Sequence, residues 1–315
     1  MDENSVGQRL DNFLIRELKG VPKTHVYRII RSGEVRVNKG RASADSRLQI
    51  GDLVRLPPLR LPTPSVDPGE HAVPPRDFPV LFEDDHVLAI DKPAGVAVHG
   101  GSGVSFGLIK QMRRARPAAR FLELVHRLDR ETSGILLIAK KRSALTNLQD
   151  QFRERETGKT YLALVQGAWP ENTKVIDAPL YKYVQTGKEG APGVGERRVK
   201  VVSKDDPEGM RSVTLVKVNR RLDRFSLLEV TIKTGRTHQI RVHLASVGHR
   251  IVGDDKYGDF ELNRTLQRQG LKRMFLHAWR LQFNHPVSGE RLTLNAELPP
   301  ELENFLVTSS ARAPV

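Results

Sequence analysis

Arg127 and Asp129 lie two positions apart in the run His126-Arg-Leu-Asp-Arg-Glu-Thr-Ser-Gly134 and are residue types that can do chemistry together. An arginine beside an aspartate holds the carboxylate ionised, the form needed by a nucleophile or base at a sugar carbon. Tyr161 offers a flat face on which an extruded base can stack, and Arg241 supplies a further cation. Each has a plainer account. The run fits a surface loop with a local Arg–Asp pair, Tyr161 an ordinary strand aromatic, and Arg241 a residue that caps or solvates its helix. The setting favours function for the run. It falls between Phe121-Leu-Glu-Leu-Val125 and Ile135-Leu-Leu-Ile-Ala139, which read as strands. A plain hairpin turn would use Asn-Gly or Asp-Gly. Charges held between buried strands are costly unless they pair or meet a ligand.

Other chemistries fit less well. Gly103-Val-Ser-Phe-Gly107 matches the G-x-S-x-G pattern, but a nucleophile elbow needs a buried strand before the serine, and His99-Gly-Gly-Ser102 is loop. The same run lacks the Gly-Lys-Ser/Thr end of a phosphate-binding loop. His238 and His243 are five apart, whereas two metal ligands on one helical face want three or four. Asp129 and Glu131 are too close in one loop to flank a glycosidic bond from opposite sides. A metal site is therefore not expected, and one carboxylate doing nucleophilic or proton-transfer work fits better than a pair.

The chain has 315 residues, no cysteine and a net charge of +14. Disulfides, thiolate nucleophiles and Cys-ligated metals are therefore excluded. No apolar run is long enough to cross a bilayer and the N-terminus lacks a signal-peptide core, so a soluble, cytoplasmic protein is expected. The charge excess favours nucleic acid as partner over a membrane surface. Eight prolines between positions 57 and 79 predict an extended spacer over 59–77. The expected division is a small domain over 1–58, a body over 78–303 and a tail over 304–315.

In the body, residues 80–82 and 87–90 read as a hairpin, 106–115 as a helix, 145–155 as a helix and 159–165 as a strand. Residues 186–210 lack periodicity and are expected to form a mobile insertion. A strand pair over 213–218 and 225–233 leads into a helix whose buried face is predicted as Ile240, Leu244 and Val247. Short strand pieces are expected at 275–278, 281–283 and 291–295. Strands outnumber helices without βαβ alternation, so the fold class is α+β, with a mixed, mostly antiparallel sheet.

The small domain carries twelve Lys/Arg against seven Asp/Glu over residues 1–60. Two short helices and a strand bring Lys23, Arg28, Arg31, Arg36 and Lys39 near one another, a patch suited to phosphate and equally to an ordinary solvated face. The order of these elements, with Lys23-Thr-His-Val-Tyr-Arg-Ile-Ile-Arg-Ser-Gly-Glu-Val-Arg-Val-Asn38 and Gly51-Asp-Leu-Val54, resembles the S4 RNA-binding domain. The resemblance implies a small α/β module that docks on structured RNA.

The body has a resemblance too. His126–Gly134 with the following Ile-Leu-Leu-Ile-Ala-Lys-Lys, Asp91-Lys-Pro-Ala-Gly95, Lys159-Thr-Tyr161, Gly235-Arg-Thr-His-Gln-Ile-Arg-Val-His243 and Gly253-Asp-Asp-Lys-Tyr-Gly258 resemble, in order, the motifs of the large-subunit ribosomal RNA pseudouridine synthases. The C-type members are most similar. The resemblance implies a central cleft in the sheet and cofactor-free conversion of uridines of 23S ribosomal RNA to pseudouridine. It makes Asp129 the catalytic aspartate, by attack at C1′ or proton removal at C2′. It gives Arg127 the place of the flipped base, Tyr161 the stacking role and Arg241 the pairing with Asp129, with Arg236 a weaker candidate. It puts Ile240 in the pocket, and His126 and Lys92 are carried as further substrate-binding residues. A monomer acting on 23S rRNA or a precursor particle is expected. Two other readings are a non-catalytic rRNA-binding assembly factor and a D-type synthase acting on another stem-loop.

Overall fold

The structure is a computed structural model that describes residues 7–18, 20–59, 73–100, 106–185 and 196–310. The serine of the G-x-S-x-G pattern, most of the proline-rich spacer and residues 186–195 lie outside the described residues.

The N-terminal unit packs helix α1 (Leu10–Glu17) against α2 (Lys23–Arg31) and a three-stranded sheet of β1 (Arg36–Val37), β2 (Gly40–Arg41) and β3 (Val54–Arg55). Leu10, Leu14, Val26 and Ile29 recur at helical spacing and are fully buried, which is why the two helices close on one small core. Arg36 pairs with Arg41 on one side and Arg55 on the other, so three arginines line up across the sheet. Like charges set directly opposite cost stability unless an anion relieves them.

The body is built on a ten-stranded sheet that is antiparallel except at one pair. Its strands, β4 (Val80–Glu83), β5 (Val87–Lys92), β6 (Glu123–Leu124), β7 (Ser133–Ala139), β8 (Gly158–Gln166), β9 (Val175–Asp177), β12 (Val213–Arg221), β13 (Phe225–Ile232), β14 (Leu276–Asn284) and β15 (Arg291–Asn295), run mainly in the order β4-β5-β7-β14-β8-β13-β12-β9. The alternation of side chains decides the layers. Leu136 and Ile138 of β7 face helix α3 (Leu108–Ala115), while Ile135 and Leu137 face helix α4 (Arg142–Glu154). Further along, Ala163, Val165, Leu228 and Val230 pack beneath helix α5 (Gln239–Ser246). Leu162, Leu164 and Leu227, on the reverse face, share a core with helix α6 (Phe260–Arg268) and helix α7 (Pro300–Ser310). Tyr161 touches both cores of the first face, at the seam between them.

Several expectations need correction. The strand pieces at 275–278 and 281–283 are one nine-residue strand, β14, in the middle of the sheet. Arg280 and Gln282, turned to the more open side, interrupt its apolar pattern. The expected boundary at 303 falls inside α7. Leu302, Phe305 and Leu306 are buried there, each burial contributing roughly 1.5–3 kcal/mol. Part of the expected aperiodic insertion is ordered, because β11 (Glu196–Val201) pairs in full register with β10 (Leu180–Gln185) as a separate ribbon. Leu180 and Val199 of this ribbon pack on Val242 of α5. Val247 is 40% exposed rather than buried, since α5 ends at Ser246. Between 121 and 125 only Glu123 and Leu124 pair as strand.

Candidate active site

The loop 126–132 joins β6 to β7 and is clamped at both ends. At its start, His126 stacks on Phe152 with centroids 4.8 Å apart, and its Nε2 accepts the Leu137 N–H at 3.1 Å. Burial pulls its pKa down to about 3, so the ring is neutral. At the far end, Ser133 is fully buried between two partners. Its Oγ accepts from Arg273 at 2.6 Å and donates to Nδ1 of His277 at 2.8 Å. Gly134 follows at φ 107°, and a Cβ there would overlap the Ala278 carbonyl of the neighbouring parallel strand. Only glycine allows β7 and β14 to approach this closely.

From beneath, Lys92 donates to the carbonyls of Pro93, Val96 and Arg130 at 2.9, 2.9 and 3.1 Å. Its three donors are thereby used and it is fully buried. Lys92 is thus a support for the loop, not a group facing substrate, which corrects the reading that placed it among binding residues. Burial lowers its pKa to about 7. His126 does line the cleft, but its acceptor nitrogen is committed to the backbone.

Held in this way, Asp129 looks into a cavity of about 230 Å³, room for a single base, with Tyr161, Ile240 and Arg241 in its walls. A second chamber, adjoining the first at Asp129, is lined by Arg127, Arg130, His238 and Lys256. Arg127 is exposed where the two chambers meet. Tyr161 is pushed well above the ordinary phenol range, first by burial and then by the Asp129 charge, so it stays protonated. Arg241 Nη1 is 3.5 Å from Oδ2 of Asp129. The weaker candidate, Arg236, instead donates to the Arg211 carbonyl at 3.4 Å.

Arg241 is in place because α5 is. Gln239, at the first turn, accepts from Thr234 Oγ1 at 2.7 Å and from the Arg236 N–H at 3.1 Å, and donates to the Val213 carbonyl at 3.0 Å. These bonds fix the 234–239 turn to β12. His243, one turn on, is fully buried between Thr214 Oγ1 and the Ala178 carbonyl, at 2.8 and 2.9 Å. It is a core histidine, as its poor metal spacing suggested. A carboxylate beside a buried guanidinium, in a slot with an aromatic wall, can attack or deprotonate a sugar whose base is held in that slot.

Residues 86–246 match the family model for RNA pseudouridylate synthase, and residues 8–54 match the S4 domain. The chain belongs to the RNA pseudouridylate synthase family. It is 48% identical over 314 residues to ribosomal large subunit pseudouridine synthase C of Pasteurella multocida, covering 97% of this chain and 91% of that one. It is 49% identical over 308 residues to the protein of the same name from Escherichia coli (strain K12), covering 96% and 93%. Among solved structures, human RNA pseudouridylate synthase domain containing 4 superposes with a TM-score of 0.58 at 26% identity, covering 73% of this chain and 92% of that one.

Three residues in or behind this synthase's cleft were given no role on sequence. Asp254 is 1% exposed and takes Arg241 in a bidentate pair, Nε to Oδ2 at 2.8 Å and Nη2 to Oδ1 at 2.7 Å. Burial works against both charges, yet the pair holds Asp254 below and Arg241 above their ordinary ranges. Tyr257 lies under the Arg241 guanidinium at 5.2 Å, and His238 Nε2 is 3.9 Å from Asp129 Oδ2. The motif Gly253-Asp-Asp-Lys-Tyr-Gly258 was visible, but nothing in its spacing tied it to Arg241.

Proposed function

We propose that this synthase isomerises several uridines of 23S ribosomal RNA to pseudouridine. The observation that carries this reading is the Asp129 carboxylate, flanked by Arg241, opening on a base-sized slot walled by Tyr161 and Ile240. In the reaction the C1′–N1 bond breaks, the uracil turns in the slot and C5 bonds to C1′. C5 then gives up its proton and N1 gains one, so no external atom is consumed. Asp129 serves the sugar either as nucleophile at C1′ or as base at C2′. Tyr161 stacks on the uracil, and Arg127 fills the place in the RNA stack that the flipped base leaves. The 48–49% identity over nearly the whole chain to relatives named ribosomal large subunit pseudouridine synthase C supports the substrate class.

Outside the cleft, the aligned Arg41, Arg36 and Arg55 favour phosphate contacts, and Arg36, Lys39 and Arg55 share one surface depression. Lys23, Arg28 and Arg31 are exposed along α2 and add to the unit's basic surface, whose complement is a ribosomal RNA helix or a precursor particle. We take the working form to be a cytoplasmic monomer.

The test is Asp129→Asn with pseudouridine mapped on 23S rRNA. The variant is expected to lose activity by about 10³-fold or more while retaining RNA binding. Wild-type product from it would overturn the role of Asp129. An unchanged pseudouridine map in cells lacking the gene would favour the assembly-factor reading instead.

A further inference from the structure

Among the described residues of the cleft, His238 is the one non-glycine residue whose backbone is left-handed, at φ 53° and ψ 20°. Non-glycine residues in this region are uncommon, with histidine among the enriched types, and such strain concentrates at functional sites. The turn brings the imidazole into the walls of both chambers beside Asp129, 16% exposed.

Its tautomer follows from its partners. The Val199 N–H of the β10–β11 ribbon donates to the Tyr257 hydroxyl oxygen at 3.0 Å. That hydroxyl is 2.8 Å from His238 Nδ1. The phenol has one proton to give, and the arrangement that uses it has Tyr257 donating to Nδ1. The ring proton then belongs on Nε2, the nitrogen facing Asp129 Oδ2 at 3.9 Å. Burial holds the ring neutral, with a pKa of about 4 that the Asp129 charge opposes and the Arg241 and Lys256 charges reinforce. Neutral Nε2–H is a donor, so it complements the carboxylate without adding a charge.

We propose that His238 is a positioning residue for Asp129, held as its Nε2–H tautomer by Tyr257, and that it leaves Oδ1 as the reacting oxygen. Both Arg241 Nη1 and His238 Nε2 address Oδ2. Among the described residues neither carboxylate oxygen has a hydrogen-bond partner, and Oδ2 is the one these two nitrogens approach. The 3.9 Å separation is longer than a hydrogen bond, and catalytic hydrogen bonds that are long in a free enzyme tighten when substrate fills the site. Through Tyr257 the imidazole beside the carboxylate is itself hydrogen-bonded to the ribbon. This rests on Asp129 being the reacting group.

The test is single-turnover kinetics on a transcript carrying the target stem-loop, with RNA affinity measured in parallel. The variants are Tyr257→Phe, His238→Asn and the double variant. Tyr257→Phe keeps the ring beneath Arg241 and removes only the hydroxyl, while asparagine tolerates the left-handed turn. Each single variant is expected to slow the chemical step about tenfold with affinity unchanged, and the double variant to be no slower than His238→Asn. Wild-type rate in His238→Asn, multiplicative losses in the double variant, or a loss confined to affinity would overturn the proposal. If these fail while Asp129→Asn is inactive, only the positioning role falls. An active Asp129→Asn would remove its foundation.

Discussion

Arg241 and Asp254 form a bidentate ion pair with almost no exposure to water, and the third guanidinium nitrogen is what remains to face Asp129. Asp254 is itself fixed by the Lys256 and Tyr257 backbone N–H groups at 2.8 and 3.0 Å. The cation that serves the cleft is thus oriented from behind, by a carboxylate that does not touch the cavity.

Asp254→Asn should therefore strike stability and rate together. Breaking a buried pair by neutralising one partner costs about 3–5 kcal/mol, read as a fall in the urea midpoint. Replacing both, as Asp254→Asn with Arg241→Met, should recover part of that stability and none of the activity. Full activity in the single variant would show that Arg241 orients itself without this partner.

Arg127 is exposed between the two chambers, free to enter an RNA stack. If it replaces the extruded base, Arg127→Ala should slow modification of a paired target by at least about tenfold. It should matter less for a uridine already unpaired, because unstacking such a base costs less. Equal losses on paired and unpaired substrates would count against this role.

Acid should weaken the fold through its neutral histidines. Burial first, and the Lys159 charge second, draw His126 to about 3; burial likewise draws His238 and His277 to about 4. Unfolded histidine takes its proton near 6.5, so between 6.5 and these values the unfolded chain binds more protons. The stabilisation is whole above pH 6.5 and is lost as pH falls, by on the order of 1–2 kcal/mol per histidine at pH 5. Urea midpoints between pH 7 and 5 should decline, with a shallower slope in His126→Phe, which keeps the stacking on Phe152. A flat profile would mean that these rings are not held neutral.

Much of this synthase was legible in its sequence. Where one strand or helix decides a residue's place, the pattern of apolar residues sufficed. The unbroken apolar run Ile135-Leu-Leu-Ile-Ala139 read as a buried strand because its length and composition are local, although which core each side chain enters was decided by packing. The charged loop 126–134 announced itself for a similar local reason, since uncompensated charges between apolar strands demand a purpose. The S4-like unit was visible because its core closes within fifty residues.

Tertiary structure alone decided which residues meet. His126, His238 and His243 are one residue type, yet one accepts from a neighbouring strand, one faces the carboxylate and one is sealed in the core. Lys92 and Arg241 both had to be near Asp129. Their roles diverged because the ammonium found three carbonyls beneath the loop, while the guanidinium found Asp254 and kept a nitrogen for the cleft. Such pairings cross many positions of chain and depend on how strands from distant segments order themselves in one sheet. β14, far along the sequence, lies between β7 and β8 and so carries the Asp129 loop and Tyr161 on adjacent sides. Local sequence reports the chemistry available; packing determines which atoms of it face one another.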